Sequence, residues 1–159
     1  MSRAGDLEDI RKTLATYTMN GDRLRLEALA ETFSEDGLFE IPSGSYRGRQ
    51  AIIDGLRNGG GNRRPDPARH PRIFTRHSLT TCDIELTSEN SATCRTYFVV
   101  YSAIGPDHAG VYDDRLVREG GRWRFAYRRV RVDWIHDDTV LPNLRAVLVG
   151  GASSDPAPV

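Results

Sequence analysis

A histidine and a carboxylate at distant positions are the residues with the clearest chemical potential. His77 lies in Arg76-His77-Ser78, where a strand is expected, and Asp22 lies near the N-terminus, with Tyr17 five residues before it. A carboxylate from another element can fix the tautomer of a neutral imidazole and stabilise the proton that the imidazole accepts. We therefore predict that Asp22 and His77 together form a general base.

Each of these residues also has a structural interpretation when it is considered alone. Asp22 could cap the start of a helix, and His77 could be an ordinary strand histidine. Tyr17 could polarise a substrate carbonyl through its phenol, although an aromatic residue on an apolar helix face is as often part of the core. As a pair, Asp22 and His77 favour catalysis, because coupled acids and bases concentrate at functional sites.

Length and charge restrict the class of protein. A chain of 159 residues can bury one core of its own, and its 22 Lys and Arg residues balance 22 Asp and Glu residues. The absence of net charge argues against nucleic acid or an anionic membrane as a partner, and no stretch is apolar enough to span a bilayer. We expect a cytoplasmic protein that acts on a small molecule. With no cofactor fingerprint and no ligand cluster at metal spacing, we expect no cofactor and no metal.

Apolar spacing predicts two helices before the first strand. Leu7, Ile10, Leu14 and Tyr17 recur at steps of three and four, which predicts a helix from about Asp6 to Asn20-Gly21. A second helix is predicted from Asp22, as its N-cap, to Phe33, with Ser34 to Gly37 closing it. A strand at 38–41 and a short helix at 48–56 follow. The segment 58–71 is too rich in Gly and Pro for either structure and is predicted to be a loop.

Four strands are predicted near 73–86, 91–104, 109–118 and 122–135, joined by short hairpin connections. Alternation slips between Leu79 and Ile84, which predicts a bulge at Thr80-Thr81. Cys82 and Cys94 flank the first hairpin turn, and two free thiols are favoured over a disulfide. Phe98 to Tyr101 are apolar on both faces of their strand, so we expect the sheet to pair with other copies in a homodimer or homotrimer.

Helices followed by a long meander predict an α+β fold, in which a curved, mostly antiparallel mixed sheet wraps the N-terminal helices to form a cone. We assign 1–140 to one domain and 141–159 to a C-terminal tail whose last part we expect to be poorly ordered. This order of elements resembles the SnoaL-like branch of the nuclear transport factor 2-like (cystatin-like) superfamily, over about residues 5–135. The resemblance is carried by Tyr17, Asp22, Gly48-Arg49-Gln50-Ala51-Ile52, His77 and Gly121-Arg122-Trp123-Arg124-Phe125.

The candidate site residues look most similar to those of the bile acid 7α-dehydratase, scytalone dehydratase and dehydrochlorinase group. Asp22 and His77 occupy the positions of the Asp–His pair of that group. Tyr17 and Arg131 match a helix tyrosine and a last-strand arginine of the bile acid enzyme, and His108 resembles the second histidine of scytalone dehydratase. From alternation alone, Arg131 faces either the pocket or solvent, while a solvated face is favoured for its neighbours Arg128 and Arg129.

The resemblance implies a cofactor-independent lyase or isomerase, which carries out a dehydratase-like elimination on a hydrophobic cyclic small molecule with Asp22 and His77 as the general base. Two alternatives stay open, because a fold does not fix a function. The chain could resemble the non-catalytic small (beta) subunit of ring-hydroxylating dioxygenases, which would require a larger iron-sulfur partner. It could also be a small-ligand-binding protein.

Overall fold

A six-stranded sheet and three helices make up the described part of the chain, which in this computed structural model comprises residues 2–58, 74–139 and 141. The helices are α1 (Arg3–Asp22), α2 (Leu26–Ala30) and α3 (Arg49–Asn58). The strands are β1 (Phe33–Ile41), β2 (Gly44–Arg47), β3 (Arg76–Leu86), β4 (Ser91–Ser102), β5 (Gly105–Glu119) and β6 (Arg122–Ile135). The predicted loop at 58–71 and the tail at 141–159 fall outside the described residues, apart from Asn58 and Leu141.

The strands are arranged in the order β2-β1-β6-β5-β4-β3. Neighbouring strands are antiparallel except for β1 and β6, which are parallel. Short turns connect β3 to β4, β4 to β5 and β5 to β6. The third long strand begins earlier than its predicted start near 109, because β5 already includes Gly105. The α+β fold with a curved, mostly antiparallel mixed sheet is therefore confirmed.

The first helix follows its apolar spacing. α1 begins after Ser2, whose hydroxyl oxygen accepts a 3.2 Å hydrogen bond from the backbone N–H of Gly5 and so caps the helix. Its buried residues include Ile10, Leu14 and Tyr17, the positions that the steps of three and four predict. These side chains pack on one side of the sheet, which we call the inner face.

The predicted boundary between the first two helices is wrong. α1 continues to Asp22, which is its last residue and not the N-cap of α2. Leu24 then adopts a left-handed φ of 54°, which an α-helix does not accommodate, so the turn replaces the start of the predicted second helix. Only Leu26–Ala30 remains helical in that segment. Asp22 is consequently free of a capping role in α2.

The start of β1 also differs from the prediction. β1 begins at Phe33, so Ser34 to Gly37 lie in a strand and do not close a helix. Its pairing with β6 shifts between Phe33 and Leu38, and a Cβ atom at Gly37 would lie 2.9 Å from the carbonyl oxygen of Phe125. The strand therefore needs glycine at position 37, where the backbone of Phe125 lies close. Because glycine is also common in turns, the sequence of this segment predicted a turn. α3 agrees with the predicted helix, whereas the four-residue strand β2 was not expected.

The bulge in the first long strand is confirmed. β3 pairs with β4 in one register up to Leu79 and in another from Cys82 onward. His77 and Leu79 therefore face the same side as Cys82 and Ile84, although the first two have odd numbers and the last two have even numbers. Cys82 and Cys94 are free thiols, with their sulfur atoms 3.7 Å apart.

The core lies between α1 and the inner face of the sheet. Its most deeply buried aromatic members are Phe33, Phe39, Phe98, Tyr112 and Phe125, each at most 2% exposed. This packing fixes the C-terminal end of α1 against the sheet and thereby sets the position of Asp22. Among the helices of the described residues, none combines the length and apolar character that crossing a membrane requires.

Candidate active site

The structure brings Asp22 and His77 into contact. Oδ1 of Asp22 lies 2.7 Å from Nδ1 of His77, and the backbone N–H of His77 lies 3.2 Å from both carboxylate oxygens. A carboxylate can only accept hydrogen bonds, so Nδ1 carries the proton and Nε2 is the nitrogen left for other partners. The Asp22 side chain is 9% exposed and that of His77 is 26% exposed. The pair has the geometry of an oriented base that solvent can reach.

A second histidine lies on the same face of the sheet. His77 pairs with Val100 across β3 and β4, and Val100 pairs with His108 across β4 and β5. Residues paired across strands project to the same face, so both imidazoles lie on the inner face. Their ring centroids are 6.5 Å apart, and the Phe98 ring lies 6.2 Å from one and 6.1 Å from the other. His108 thus belongs to β5, not to the loop before it.

His108 has a carboxylate of its own. Its Nδ1 lies 2.9 Å from Oδ1 of Asp107, and the side chains of the two residues are 8% and 0% exposed. The sequence analysis did not include Asp107 among the site residues, because Pro106-Asp107 is typical of a turn. Only the pairing of the strands shows that Asp107 and His108 are both buried.

Tyr17 is deeply buried near this group of residues. Its ring makes edge-on contacts with Phe33, Phe39, Tyr112 and Phe125, at centroid distances of 5.8 to 6.2 Å. Burial raises the pKa of Tyr17, although the Arg128 cation 4.1 Å from its ring centroid opposes the shift. The phenol therefore keeps its proton at neutral pH and can act only as a neutral hydrogen-bond donor or acceptor. The ring is part of the core, and the role of the hydroxyl in catalysis stays a prediction.

Arg131 lies on the other side of the sheet, which we call the outer face. Its side chain is 41% exposed, and its Nε lies 3.2 Å from Asp133. It alternates with Val130 and Val132, which join the core on the inner face. This position keeps Arg131 away from Asp22 and His77.

The arginine that lies inside is Arg128, so the solvated position expected for it is wrong. Arg128 is fully buried and makes two hydrogen bonds to Asp114, at 2.8 and 2.7 Å. Its guanidinium lies 3.9 to 4.3 Å from the ring centroids of Tyr17, Tyr112 and Phe125. Burial alone would lower the pKa of Arg128, but the paired carboxylate raises it, so the side chain stays cationic. Arg128 lies two positions before Val130 on β6, and this spacing predicts that both side chains face the core.

Two grooves on the surface of the described residues lie apart from these histidines. A groove of about 430 Å³ lies between α1 and the turn from β5 to β6, and one of about 570 Å³ lies at the start of α3. Neither is lined by a histidine. Within the described ranges, no three His, Cys, Asp or Glu side chains are grouped to hold a metal ion.

Comparisons with known proteins agree with the observed fold. The model of the SnoaL-like domain family matches residues 2–129. No curated protein sequence matches the chain closely enough to count as a relative. Many solved structures do match, and two of them are described as cystatin-like in fold, one of these also as nuclear transport factor 2-like.

Three of these structures indicate the range of similar proteins. A protein of unknown function from Mycobacterium tuberculosis is 28% identical, with a TM-score of 0.69, over 92% of this chain and 88% of its own. A protein from Catenulispora acidiphila, solved in complex with S-DNPA, is 25% identical, with a TM-score of 0.68, over 82% of this chain and 96% of its own. A candidate scytalone dehydratase from Novosphingobium aromaticivorans is 24% identical, with a TM-score of 0.68, over 84% of this chain and 88% of its own.

Proposed function

Because this chain belongs to the SnoaL-like domain family, we propose that it is a cofactor-independent lyase or isomerase, which carries out a dehydratase-like elimination on a hydrophobic cyclic small molecule. The observation that carries the proposal is the 2.7 Å contact between Nδ1 of His77 and Oδ1 of Asp22. Similarity to a candidate scytalone dehydratase and to a protein solved with S-DNPA supports a small-molecule substrate.

In this reaction His77 is the general base. Its Nε2 removes a proton from a carbon next to a carbonyl group or next to the carbon that bears the leaving group. Asp22 holds the imidazole in the tautomer that leaves Nε2 unprotonated, and it stabilises the imidazolium that forms. A positioned base of this kind contributes about 10²- to 10⁴-fold to the rate.

The surroundings of the pair favour an apolar, flat substrate. Phe98 lies beside both histidine rings and stacks on Tyr112, at a centroid distance of 4.4 Å and an interplanar angle of 19°. Both rings are 2% exposed and belong to the core, so they make the surroundings of the pair apolar and favour a substrate that buries apolar surface there. The neutral phenol of Tyr17 would supply a polar group, as a hydrogen-bond donor to the substrate carbonyl.

The test is turnover of a library of hydroxylated and halogenated cyclic compounds by the native protein and by two single variants. We expect turnover of at least one compound, and a loss of about 10²- to 10⁴-fold in His77→Gln. Asp133→Asn, which alters an exposed carboxylate on the outer face, is the matched control and should turn over normally. If His77→Gln keeps native turnover, the general-base assignment fails. If compounds bind to the native protein without turnover, the protein is a ligand-binding protein instead.

A further inference from the structure

The two cysteines of the chain meet across neighbouring strands. Cys82 lies on β3 and Cys94 lies on β4, and their sulfur atoms are 3.7 Å apart. The register pairs Cys82 with Thr96 and Ile84 with Cys94, so the cysteines are diagonal neighbours on the inner face. Because the sequence contains two cysteines in total, each thiol has one possible partner within the chain.

The hydroxyl group of Thr96 lies between the two sulfur atoms. It donates a hydrogen bond to Sγ of Cys82 at 3.4 Å and lies 3.3 Å from Sγ of Cys94. A hydroxyl has one proton, so Thr96 accepts from the Cys94 thiol while it donates to Cys82. Since Thr96 is fully buried, this hydroxyl holds both sulfur atoms in one place.

We propose that Cys82 and Cys94 form a reversible redox site, in which a small-molecule disulfide oxidises the two thiols to a disulfide bond that crosslinks β3 to β4. The inference does not rest on the proposed function, since thiol oxidation needs no substrate of Asp22 and His77. The sulfur atoms must approach from 3.7 Å to about 2.05 Å. One of the two strands therefore has to move.

The strand that can move is β3. It lies at the edge of the described sheet, where β4 is its one neighbour. Its register shifts between Leu79 and Cys82, so an unpaired residue lies just before Cys82. Diagonal neighbours have Cα atoms about 7–8 Å apart, whereas disulfides span about 4.4–6.8 Å, so the bond is strained. A strained disulfide is easily reduced, which makes the site reversible.

Exposure decides which thiol reacts first. Cys82 is half-buried, whereas Cys94 is 3% exposed. The Cys82 thiolate attacks one sulfur of the small disulfide, whose S–S bond breaks and releases the first small thiol. Sγ of Cys94 then attacks Sγ of Cys82, and the second small thiol leaves with the electron pair and takes the Cys94 proton. The protein loses two electrons and two protons, and the small disulfide gains them as two thiols.

The mixed disulfide makes the second step easier. Burial raises the pKa of Cys94 to about 12, a hydrogen bond with Thr96 opposes this shift, and a charge on Cys82 adds to it. In the mixed disulfide the Cys82 sulfur is neutral, so its contribution disappears. Cys94 is thus easier to ionise at the step in which it attacks.

The crosslink acts on the strand that carries the candidate base. His77 and Cys82 lie on the same face of β3, on either side of the bulge. The backbone N–H of His77 is hydrogen-bonded to Asp22 at 3.2 Å, which ties this end of β3 to α1. A movement of Cys82 towards Cys94 pulls the strand against that contact. Oxidation therefore changes the surroundings of the His77 imidazole.

The first experiment treats the reduced, full-length protein with oxidised glutathione at about pH 8, where thiols begin to ionise, and follows its mass. The native protein should lose two hydrogens, peptide mapping should place the bond between Cys82 and Cys94, and dithiothreitol should reverse the change. Cys94→Ser should instead gain one glutathione on Cys82, and folded Cys82→Ser should stay unmodified. A lasting glutathione adduct on the native protein, or crosslinks between chains, would overturn the redox site.

The second experiment tests the effect on the candidate base. Nitrogen-15 NMR of the imidazoles should show shifted His77 signals in the oxidised protein, which return after reduction. His136, in the turn after β6, is the internal control and should keep its signals. The variant with both Cys82→Ser and Cys94→Ser should show no change after the same treatment. A complete disulfide with unchanged His77 signals would refute the link between the redox site and His77.

Discussion

Nδ1 of His77 and Oδ1 of Asp22 lie 2.7 Å apart, although 55 positions of sequence separate the two residues. The contact joins the end of α1 to the start of β3. If the carboxylate serves mainly to orient the imidazole and stabilise its protonated form, removal of either residue should remove most of the same catalytic effect.

We therefore expect non-additive losses of turnover in a double-mutant cycle. Asp22→Asn, His77→Gln and the double variant should each lose about 10²- to 10⁴-fold in kcat, with the double variant close to the worse single variant. Thermal unfolding should shift little, because neither side chain belongs to the apolar core. Fully additive losses would indicate two independent roles instead of one dyad.

The outer face of the sheet is expected to bind a second copy of the chain. Tyr97, Tyr101 and Trp134 are 48%, 42% and 47% exposed there, and acidic and basic side chains such as Asp133 and Arg131 lie beside them. A face with both signs of charge around an apolar centre can complement itself about a two-fold axis. Light scattering should show a dimer or trimer, and Tyr97→Arg with Trp134→Arg should give monomers. Met19→Arg, at an exposed apolar position on α1, should leave the assembly unchanged, and a monomeric native protein would contradict the prediction.

The two cysteines should differ in reactivity. Burial raises the pKa of Cys94 to about 12, so at pH 8 roughly one molecule in ten thousand has this thiol ionised. Cys82 is only half buried. Mass spectrometry after brief treatment of the folded protein with iodoacetamide should find the label on Cys82 alone, and Cys82→Ser should stay unlabelled until it unfolds. Equal labelling of both thiols in the folded protein would be inconsistent with the packing around Cys94.

Asp6 should make the stability depend on pH in the acid range. Burial raises the pKa of Asp6, but hydrogen bonds from Trp123 and Arg118 outweigh it and lower the pKa below its ordinary value. A lowered pKa gives stability that is present above the ordinary value and is lost as the pH falls through the lowered one. Asp6→Asn should lower the thermal midpoint at pH 7 and flatten its fall below pH 4. Glu8→Gln, an exposed change on the same helix, should do neither, and a native acid profile in Asp6→Asn would refute the assignment.

The buried pair of Arg128 and Asp114 should be costly to break on one side. Arg128→Met leaves the carboxylate buried without its cation, and we expect a loss of about 3–5 kcal/mol in the free energy of unfolding, measured in urea. The double variant Arg128→Met with Asp114→Leu should recover part of that loss, because no charge then remains buried. Arg129→Met, on the exposed side of the same strand, should change stability by less than about 0.5 kcal/mol. If the double variant is less stable than Arg128→Met alone, the cost of that single variant does not come from an uncompensated buried charge.

The sheet and its bulge were predictable because both are visible in short stretches of the sequence. Alternation and turn residues mark β3 to β6, and the change of parity between Leu79 and Ile84 marks the bulge. No local pattern links Asp22 to His77, so their contact was predicted from the chemistry of the two residue types and from the resemblance.

The rest depends on pairing between strands. Asp114 lies opposite Arg128 and removes the penalty that otherwise argues against a buried arginine, but it is 14 positions away on another strand. Asp107 likewise turns inward only because its pairing with β4 slips by one residue. The N-cap preference of aspartate suggested a capping role for Asp22, and a single left-handed residue at Leu24 removed it.

The parallel pairing of β1 with β6 has a consequence for how the molecule forms during synthesis. Phe33 pairs with Phe125, so β1 cannot pair with β6 during synthesis until most of the following chain has been made. Helices and hairpins close within microseconds, whereas contacts across such a long loop form slowly. The aromatic residues of α1 and β1 have no partners in β6 for that interval, and a chaperone that shields apolar segments would find its binding site there.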